Sequence, residues 1–161
     1  MVNHKIIAHR GNLYGKSENE NQIDYIQNAI TQGFDAEIDL WYYVYSDKLY
    51  LGHDEPQYEV EYSWLNQYKN SLWIHCKSLD SLEYMSKCDS DFNYFWHEND
   101  KYILTSKGIG WVYPGNYPYK KSIIVMPEIV DSTVYNHFHF SNCLGVCTDT
   151  PFFYKELLEK V

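Results

Sequence analysis

The sequence predicts a single α/β domain built on a largely parallel sheet. Short apolar runs typical of buried strands alternate with segments whose apolar residues recur at helical spacing. Polar residues also stand repeatedly at the carboxyl ends of the predicted strands, as His9, Asp39 and His75 do. In α/β barrels these ends meet at one rim, and that rim carries the chemistry. The same pattern therefore predicts both a fold class and the position of a site.

The first half of the chain is strongly patterned. Lys5 to His9 is a short apolar run closed by Gly11, which favours a first buried strand. Apolar residues recur at helical spacing from 21 to 32, and Gly33 is a natural C-terminal stop for that helix. Further strands are predicted at 34–45, 48–51 and 72–77, and a second helix at 79–87.

The second half is predicted to contain more strands than helices. Strand candidates lie at 94–97, 109–113, 123–126 and 145–147, and a last helix lies at 152–159. His137 and His139 stand two apart in an aromatic segment, which favours a surface strand over a second metal site. Links between the strands from 89 to 146 are short and leave little room for covering helices. No repeat or Pro/Gly-rich linker divides the chain, so residues 1–161 are predicted to form one domain.

Charge and composition narrow the class of partner. The formal net charge is −9 and no run of Lys or Arg is present, so binding to a nucleic-acid backbone is not expected. A small anionic substrate remains compatible with this charge if a metal and a few cationic groups lie inside the cleft. No apolar stretch approaches the roughly 18 to 20 residues that a membrane span needs. Met1 to Ala8 does not resemble a signal peptide, and the four cysteines lack CxxC spacing, which together predict a cytoplasmic protein with free thiols.

Glu37 and Asp39 are the first candidates for chemistry. Residues two apart on a strand project from the same face, so these carboxylates are expected to converge. Close carboxylates repel each other unless a cation lies between them, and oxygen ligands suit Mg²⁺, Mn²⁺ or Ca²⁺. The alternative is a pair of solvated charges on an edge strand.

Four other residues are candidates for the same site. His9 and His53 each follow a predicted strand, and two histidines can divide the roles of acid and base near neutral pH. Arg10 offers a planar fork of donors that matches phosphate oxygens. Lys77 is predicted to point inwards, which is costly unless an anion meets it. Taken singly, either histidine would more often be an ordinary surface or core residue, and His97 is a weaker candidate.

These motifs occur in a characteristic order. They are His9-Arg10-Gly11, Glu20-Asn21, Gly33-Phe34-Asp35, Glu37-Ile38-Asp39, His53-Asp54 and Thr148-Asp149-Thr150-Pro151. Their order and spacing resemble those of the glycerophosphodiester phosphodiesterase family, in the superfamily of phosphodiesterases similar to phosphatidylinositol phospholipase C. The resemblance is strong over residues 5 to 56 and thin beyond them.

The resemblance implies a (β/α)-barrel hydrolase that cleaves a phosphodiester with a bound divalent cation. It implies that Glu37 and Asp39 hold the metal and that His9 and His53 form the acid/base pair. Arg10 then helps to hold the phosphate, together with Lys77. The Glu20 position is implied to be a metal ligand or a neighbour of one.

The chain departs from the family in two ways. Where the family carries Glu-x-Lys on its third strand, this chain has His75-Cys76-Lys77. Either His75 ligates the metal, which favours Mn²⁺ over Ca²⁺, or it swings clear and water takes the position. The chain is also short, because a full eight-fold barrel takes roughly 200 residues or more. We therefore expect a compact, reduced TIM-like barrel with several outer helices missing or shortened, and possible oligomers that cover its exposed strand faces.

The predicted function is hydrolysis of a glycerophosphodiester or similar small phosphodiester by a metal-dependent enzyme. One alternative is a non-catalytic module that binds a phosphorylated ligand with the same rim. Another is a phosphodiesterase for phospholipid head groups, against which the charge of −9 counts. A sugar or nucleotide phosphodiesterase with the same site is a further alternative that the residues do not separate from the first.

Overall fold

One mixed sheet of ten strands organises the part of the chain that the computed structural model describes, residues 4–88 and 91–161. The strands are β1 (Lys5–His9), β2 (Asp35–Tyr43), β3 (Lys48–Leu51), β4 (Tyr58–Val60), β5 (Leu72–Cys76), β6 (Asn93–Trp96), β7 (Tyr102–Leu104), β8 (Gly110–Val112), β9 (Ser122–Val125) and β10 (Gly145–Thr148). The helices are α1 (Ile23–Thr31), α2 (Tyr62–Tyr68), α3 (Leu79–Lys87), α4 (His137–Ser141) and α5 (Pro151–Leu158). The first residues of the Met1 to Ala8 segment, and the start of the strand-rich stretch from 89, lie outside the described residues.

Parallel strands form the centre of the sheet. They lie side by side in the order β8, β9, β10, β1, β2, β5, β6. The hairpin of β3 and β4 continues from the end of β2 in antiparallel pairing, and β7 pairs antiparallel with β8. The register places His9 beside Glu37 and Asp39 beside His75, so the carboxyl ends of β1, β2 and β5 meet at one rim.

The predicted reduced TIM-like barrel is wrong, because the sheet is mixed and remains open as a curled half-barrel. Alternation of strand and helix stops after α3: from Asn93 to Val125 four strands follow one another in fully described chain without a helix. Short links allow β7 to fold back onto β8, so that no crossover helix is needed.

The edge of β6 is covered by a loop in place of a strand ladder. The Ser106 N–H donates to the Tyr94 carbonyl oxygen at 2.8 Å, and the Tyr94 N–H donates to Ser106 Oγ at 3.0 Å. Backbone polar groups at this edge thereby find partners without closure of the barrel.

The two faces of the sheet have separate apolar cores. On the outer face, Ile38 and Ile74 pack with Ile26, Leu65 and Met85 of the helices. The inner, concave face is filled by residues from several strands, namely Ile7, Trp73, Phe95, Trp111, Ile123, Val125 and Cys147. Because side chains alternate along a strand, Glu37 and Asp39 point to the inner face while Ile38 between them points outwards.

Several elements differ from the sequence-based predictions. Strands β4 and β7 and helices α2 and α4 were not predicted. The surface strand expected at His137 and His139 is helix α4, because Asn136 and His139 form a capping box: the Asn136 side chain accepts from the His139 N–H, and His139 Nδ1 accepts from the Asn136 N–H at 3.1 Å. None of the described helices has the length and apolar character needed to cross a membrane.

Candidate active site

The predicted site residues gather at the rim of the parallel strands. A cleft of about 510 Å³ is lined by six of the eight residues, His9, Arg10, Glu37, His53, His75 and Lys77. Asp39 and Glu20 lie against Arg10, with Asp39 Oδ2 3.1 Å from Arg10 Nε and Glu20 Oε2 3.0 Å from Arg10 Nη1. The structure therefore brings residues from β1, β2, β5 and three loops into one constellation.

Glu37, Asp39 and His75 could hold a metal ion. One ligand atom from each lies within 4.8 Å of the other two. His75 Nδ1 is 3.2 Å from Asp39 Oδ1 and 3.8 Å from Glu37 Oε1. Both carboxylates are buried, with 2% of Glu37 and none of Asp39 exposed, so bulk water does not screen their charges.

The hydrogen bonding of His75 fits a cation at this point. His75 Nε2 lies 3.0 Å from the His97 carbonyl oxygen, which only accepts, so the proton is assigned to Nε2. In the neutral ring Nδ1 then carries a lone pair that faces two carboxylate oxygens. That contact is repulsive unless a metal ion or a second proton lies between the groups. Among the described residues, Asp39 Oδ1 has no partner with hydrogen-bond geometry, which leaves it available as a ligand.

The two carboxylates differ in their electrostatic surroundings. Burial, followed by the charge of Asp39, raises the pKa of Glu37. Burial alone would also raise the pKa of Asp39, but the neighbouring His53 and His75 imidazoles and the charge of Arg10 hold this pKa well below its usual range. Asp39 is therefore the more readily ionised carboxylate of the pair, and a neighbouring cation would favour the ionised form of Glu37.

Arg10 links most of the site through an unusual backbone conformation. Its φ of 52° places this non-glycine residue in the left-handed region, at a cost of roughly 1–2 kcal/mol. In this conformation its N–H donates to Glu37 Oε2 at 3.2 Å. The guanidinium contacts Asp39 and Glu20, and Nη2 lies 3.3 Å from His53 Nε2. Gly11 follows at φ 83°, and a Cβ added there would lie 3.1 Å from Tyr25 and 3.2 Å from Ile26 of helix α1.

His9 is oriented by Asp149, a residue outside the predicted site. His9 Nδ1 is 2.8 Å from Asp149 Oδ1, and its Nε2 is 4.0 Å from Glu37 Oε2. Asn12 donates to Asp149 Oδ1 at 2.8 Å, and the Asp149 N–H donates to Glu128 Oε1 at 2.7 Å. Burial lowers the pKa of His9, but the Asp149 hydrogen bond and the Glu37 charge outweigh it and raise the pKa overall. The Thr-Asp-x-Pro motif at the end of β10 was the sequence signal for Asp149.

His53 stands on the loop after β3 and is the most accessible group of the site. Its side chain is 40% exposed, and Nδ1 lies 3.5 Å from Asp39 Oδ2. The loop is anchored by the Trp41 indole, whose N–H donates to the Gly52 carbonyl oxygen at 2.7 Å. A methyl group at Gly52 would collide with the Glu55 carbonyl oxygen, so glycine is required for this path. Sequence reasoning assigned Trp41 no such anchoring role.

Glu20 and Lys77 occupy supporting positions. Glu20 accepts hydrogen bonds from Arg10 and Asn12, and it does not belong to the three-residue metal-ligand group. Lys77 Nζ lies 3.7 Å from Asp39 Oδ1. Asn21, which was not predicted, exchanges two hydrogen bonds with Asp39, through its side-chain amide at 2.9 Å and the Asp39 N–H at 3.0 Å.

A second wall of the cleft is largely apolar. Its apolar and aromatic residues come from the ends of β6, β8 and β9 and are Trp96, Trp111, Tyr113, Pro114, Val125, Met126 and Ile129, while Glu98 also lines the cleft after β6. His97 also lines the cleft, with its ring 6.1 Å from that of His75 and 5.5 Å from that of Tyr113, and within the described chain its buried Nδ1 has no hydrogen-bond partner.

Neither a family model, nor a curated protein, nor a solved structure matches this chain. The resemblance of its motifs to the glycerophosphodiester phosphodiesterases therefore stays a prediction. The case for a function depends on the geometry of this cleft.

Proposed function

We propose that this chain is a metal-dependent phosphodiester hydrolase that acts on a glycerophosphodiester or a similar small diester. The observation that carries the proposal is the convergence of two buried carboxylates and the His75 imidazole beside Arg10 and Lys77. The two remaining histidines, His9 and His53, border the same cleft.

The charges of the site suit an anionic diester only with a cation present. Glu37 and Asp39 would repel a phosphate, while Arg10 and Lys77 supply two positive charges against them and Glu20 draws on one of these. A divalent metal, when bound, supplies Lewis-acid polarisation of a phosphoryl oxygen and offsets the buried negative charge. Lys77 and the Nη2 side of Arg10 then neutralise and orient the other phosphate oxygens.

The histidines supply proton transfer for the hydrolysis. The oxygen of a water molecule forms a bond to phosphorus while the phosphorus–oxygen bond to the leaving alcohol breaks. One histidine accepts the proton of the attacking water, and the other donates a proton to the leaving oxygen. Asp149 holds the Nδ1 side of His9, so His9 Nε2 is the atom that exchanges a proton at the cleft.

The ligand set favours Mn²⁺ or Mg²⁺ over Ca²⁺. Two carboxylate oxygens and one imidazole nitrogen form a small group, whereas Ca²⁺ takes six to eight oxygen ligands. The nitrogen ligand shifts the preference further towards Mn²⁺. Calorimetric titration of the metal-stripped protein tests this order, and tighter binding of Ca²⁺ than of Mn²⁺ would contradict it.

Hydrolysis of bis(p-nitrophenyl) phosphate and of glycerophosphodiesters tests the proposed activity. The metal-stripped protein is assayed with Mg²⁺, Mn²⁺ or Ca²⁺ restored in turn. We expect metal-dependent turnover that falls by about 10² to 10⁴-fold in His9→Ala and in His53→Ala. His137→Ala, a change at an exposed histidine of α4, is the matched control and should retain full turnover. Unchanged turnover in both site variants would end the assignment.

A non-catalytic module that binds a phosphorylated ligand is the second candidate. It is favoured by the 3.3 Å contact between Arg10 Nη2 and His53 Nε2, since a donor there occupies the lone pair that a general base needs. Measurable binding of cation and phosphate monoester without turnover under any metal would select this function.

A further inference from the structure

The cleft has two chemically different walls, which come from different strands. The charged wall carries His9, Arg10, His75 and Lys77 on the ends of β1 and β5. The apolar wall, as defined above, comes from the ends of β6, β8 and β9 and includes Trp111, Tyr113 and Ile129. The proposed function uses the charged wall only and assigns no role to the apolar one.

The inner part of the apolar wall is rigidly packed. Trp111 is only 4% exposed, and its ring centroid lies 4.6 Å from that of Phe95 and 5.9 Å from that of Trp73. These rings belong to the core on the concave face of the sheet, so Trp111 presents a fixed surface to the cleft.

The outer part of the wall exposes apolar side chains at the mouth of the cleft. Tyr113 is 42% exposed with its ring 5.5 Å from that of His97, and Ile129 is 64% exposed. Met126, at the end of β9, has φ 46° and ψ 53°, a left-handed conformation that costs roughly 1–2 kcal/mol in a non-glycine residue. The turn that carries Ile129 is therefore maintained against a local backbone cost.

Polyol groups are poorly matched to the part of this wall that Pro114, Met126 and Ile129 form. Pro114, Met126 and Ile129 carry no strong side-chain donor or acceptor, so a hydroxyl held against them would lose water without an equivalent partner. An apolar alcohol gains free energy in proportion to the surface it buries there. The volume of about 510 Å³ also exceeds what a single phosphate needs and lies in the range of sites for larger small molecules.

We propose that one of the two alcohols of the substrate is apolar, an aryl or medium-length alkyl group, and that it lies against the apolar wall. This inference rests on the proposed function, because the phosphate must be anchored on the charged wall for its ester arm to reach Trp111, Tyr113 and Ile129. The apolar wall is then the part of the cleft that determines substrate specificity.

Binding of phosphate monoesters tests the inference separately from hydrolysis. Calorimetry with the Mg²⁺-supplied protein compares phenyl phosphate, hexyl phosphate and glycerol 3-phosphate. We expect at least one apolar monoester to bind about tenfold more tightly than glycerol 3-phosphate. The comparison of phenyl with hexyl phosphate shows whether the alcohol is aromatic or aliphatic.

Variants of the exposed part of the apolar wall test whether this wall causes the preference for apolar monoesters. Tyr113→Ser and Ile129→Ser should each reduce the preference by about three-fold or more while the affinity for glycerol 3-phosphate changes little. Tyr45→Ser and Leu104→Ser are matched controls, because these exposed residues, 100% and 65% accessible, lie away from the cleft and should keep the full preference.

The outcomes separate this inference from the proposed function. Equal affinities for the three monoesters, or a preference that survives in both wall variants, would overturn the inference even if diesters are hydrolysed. A preference lost in the wall variants supports it, and absence of turnover in the same preparations would then remove only the hydrolase assignment.

Discussion

The two halves of the curled sheet show how differently a site can be encoded. In the first half, β1, β2 and β5 are parallel strands covered by helices, and their ends carry charged residues in recognisable motifs. In the second half, β6 to β9 follow one another through short links and end in aromatic and aliphatic side chains. The charged residues of this cleft can therefore be recognised from local sequence motifs. Its apolar surface forms only when strands that are distant in sequence come together.

Removal of a proposed metal ligand should give the largest effect. Glu37→Gln removes one of the two buried carboxylates. We expect the affinity for Mn²⁺ to fall by at least about 100-fold, and turnover to fall as a result. The same change should raise the melting temperature of the metal-free protein, because burial and Asp39 already raise the pKa of Glu37. Calorimetry and thermal unfolding measure the two effects, with exposed Glu156→Gln as the control. A variant that binds Mn²⁺ normally would show that Glu37 is not a ligand.

Asp149→Asn should reduce turnover by roughly 100-fold without loss of the metal. The amide cannot match the charge that holds His9 in its present tautomer, so Nε2 no longer exchanges protons efficiently. Metal titration should be nearly unchanged, because Asp149 is not in the ligand group. Loss of metal affinity as large as that of turnover would contradict a role that acts through His9.

The contact between His9 and Asp149 also predicts that the stability of the protein depends on pH. The folded protein raises the pKa of His9 above its ordinary value of 6.5, so it binds this proton more tightly than the unfolded chain does. The resulting stabilisation is complete below the ordinary pKa and is lost as the pH rises through the raised one. Urea unfolding of the metal-stripped protein across about pH 5 to 9 should show this loss, and Asp149→Asn should flatten it. An identical slope in the variant would exclude this pair as the origin.

A substitution in the loop that carries His53 should have a smaller effect. Gly52→Ala is expected to destabilise the protein by about 1–3 kcal/mol, because the new Cβ collides with the Glu55 carbonyl oxygen and the loop must shift. Gly15→Ala is a matched control, since that glycine also has a positive φ of 111° but its Cβ would meet no described atom within 4 Å. Turnover should fall in Gly52→Ala and persist in Gly15→Ala. Equal turnover of the two variants would show that the His53 loop is not needed for catalysis.

The smallest expected effect is that of Trp41→Phe. This change removes the indole N–H that donates to the Gly52 carbonyl oxygen and should cost about 1 kcal/mol of stability. If the bond anchors His53, turnover should also fall several-fold while Mn²⁺ affinity is kept. Chemical denaturation and steady-state kinetics measure both, and lost stability with unaltered kinetics would leave Trp41 a structural residue only.

The sequence predicted much of the first half and little of the arrangement of the second. The bounds of β1, β3 and α3 agree with their patterns, because alternation and capping are local properties. Strand β7 escaped prediction because three residues carry too little periodicity, and its antiparallel pairing with β8 needs no helix between the two strands. In the site, Asp149 was missed as a partner of His9 because the two residues lie 140 positions apart.

By itself, the sequence determined that Glu37 and Asp39 share one face of a strand and that histidines, Arg10 and Lys77 stand at strand ends. These features follow from the two-residue period of a strand, which needs no knowledge of the neighbouring chain. Only the tertiary structure decided that the sheet stays open, that the His97 carbonyl sets the proton of His75, and that an apolar wall lines the same cleft as the charges. Each of these depends on pairing between distant segments, and the free energy of such pairing is set by packing across the whole sheet, not by local sequence.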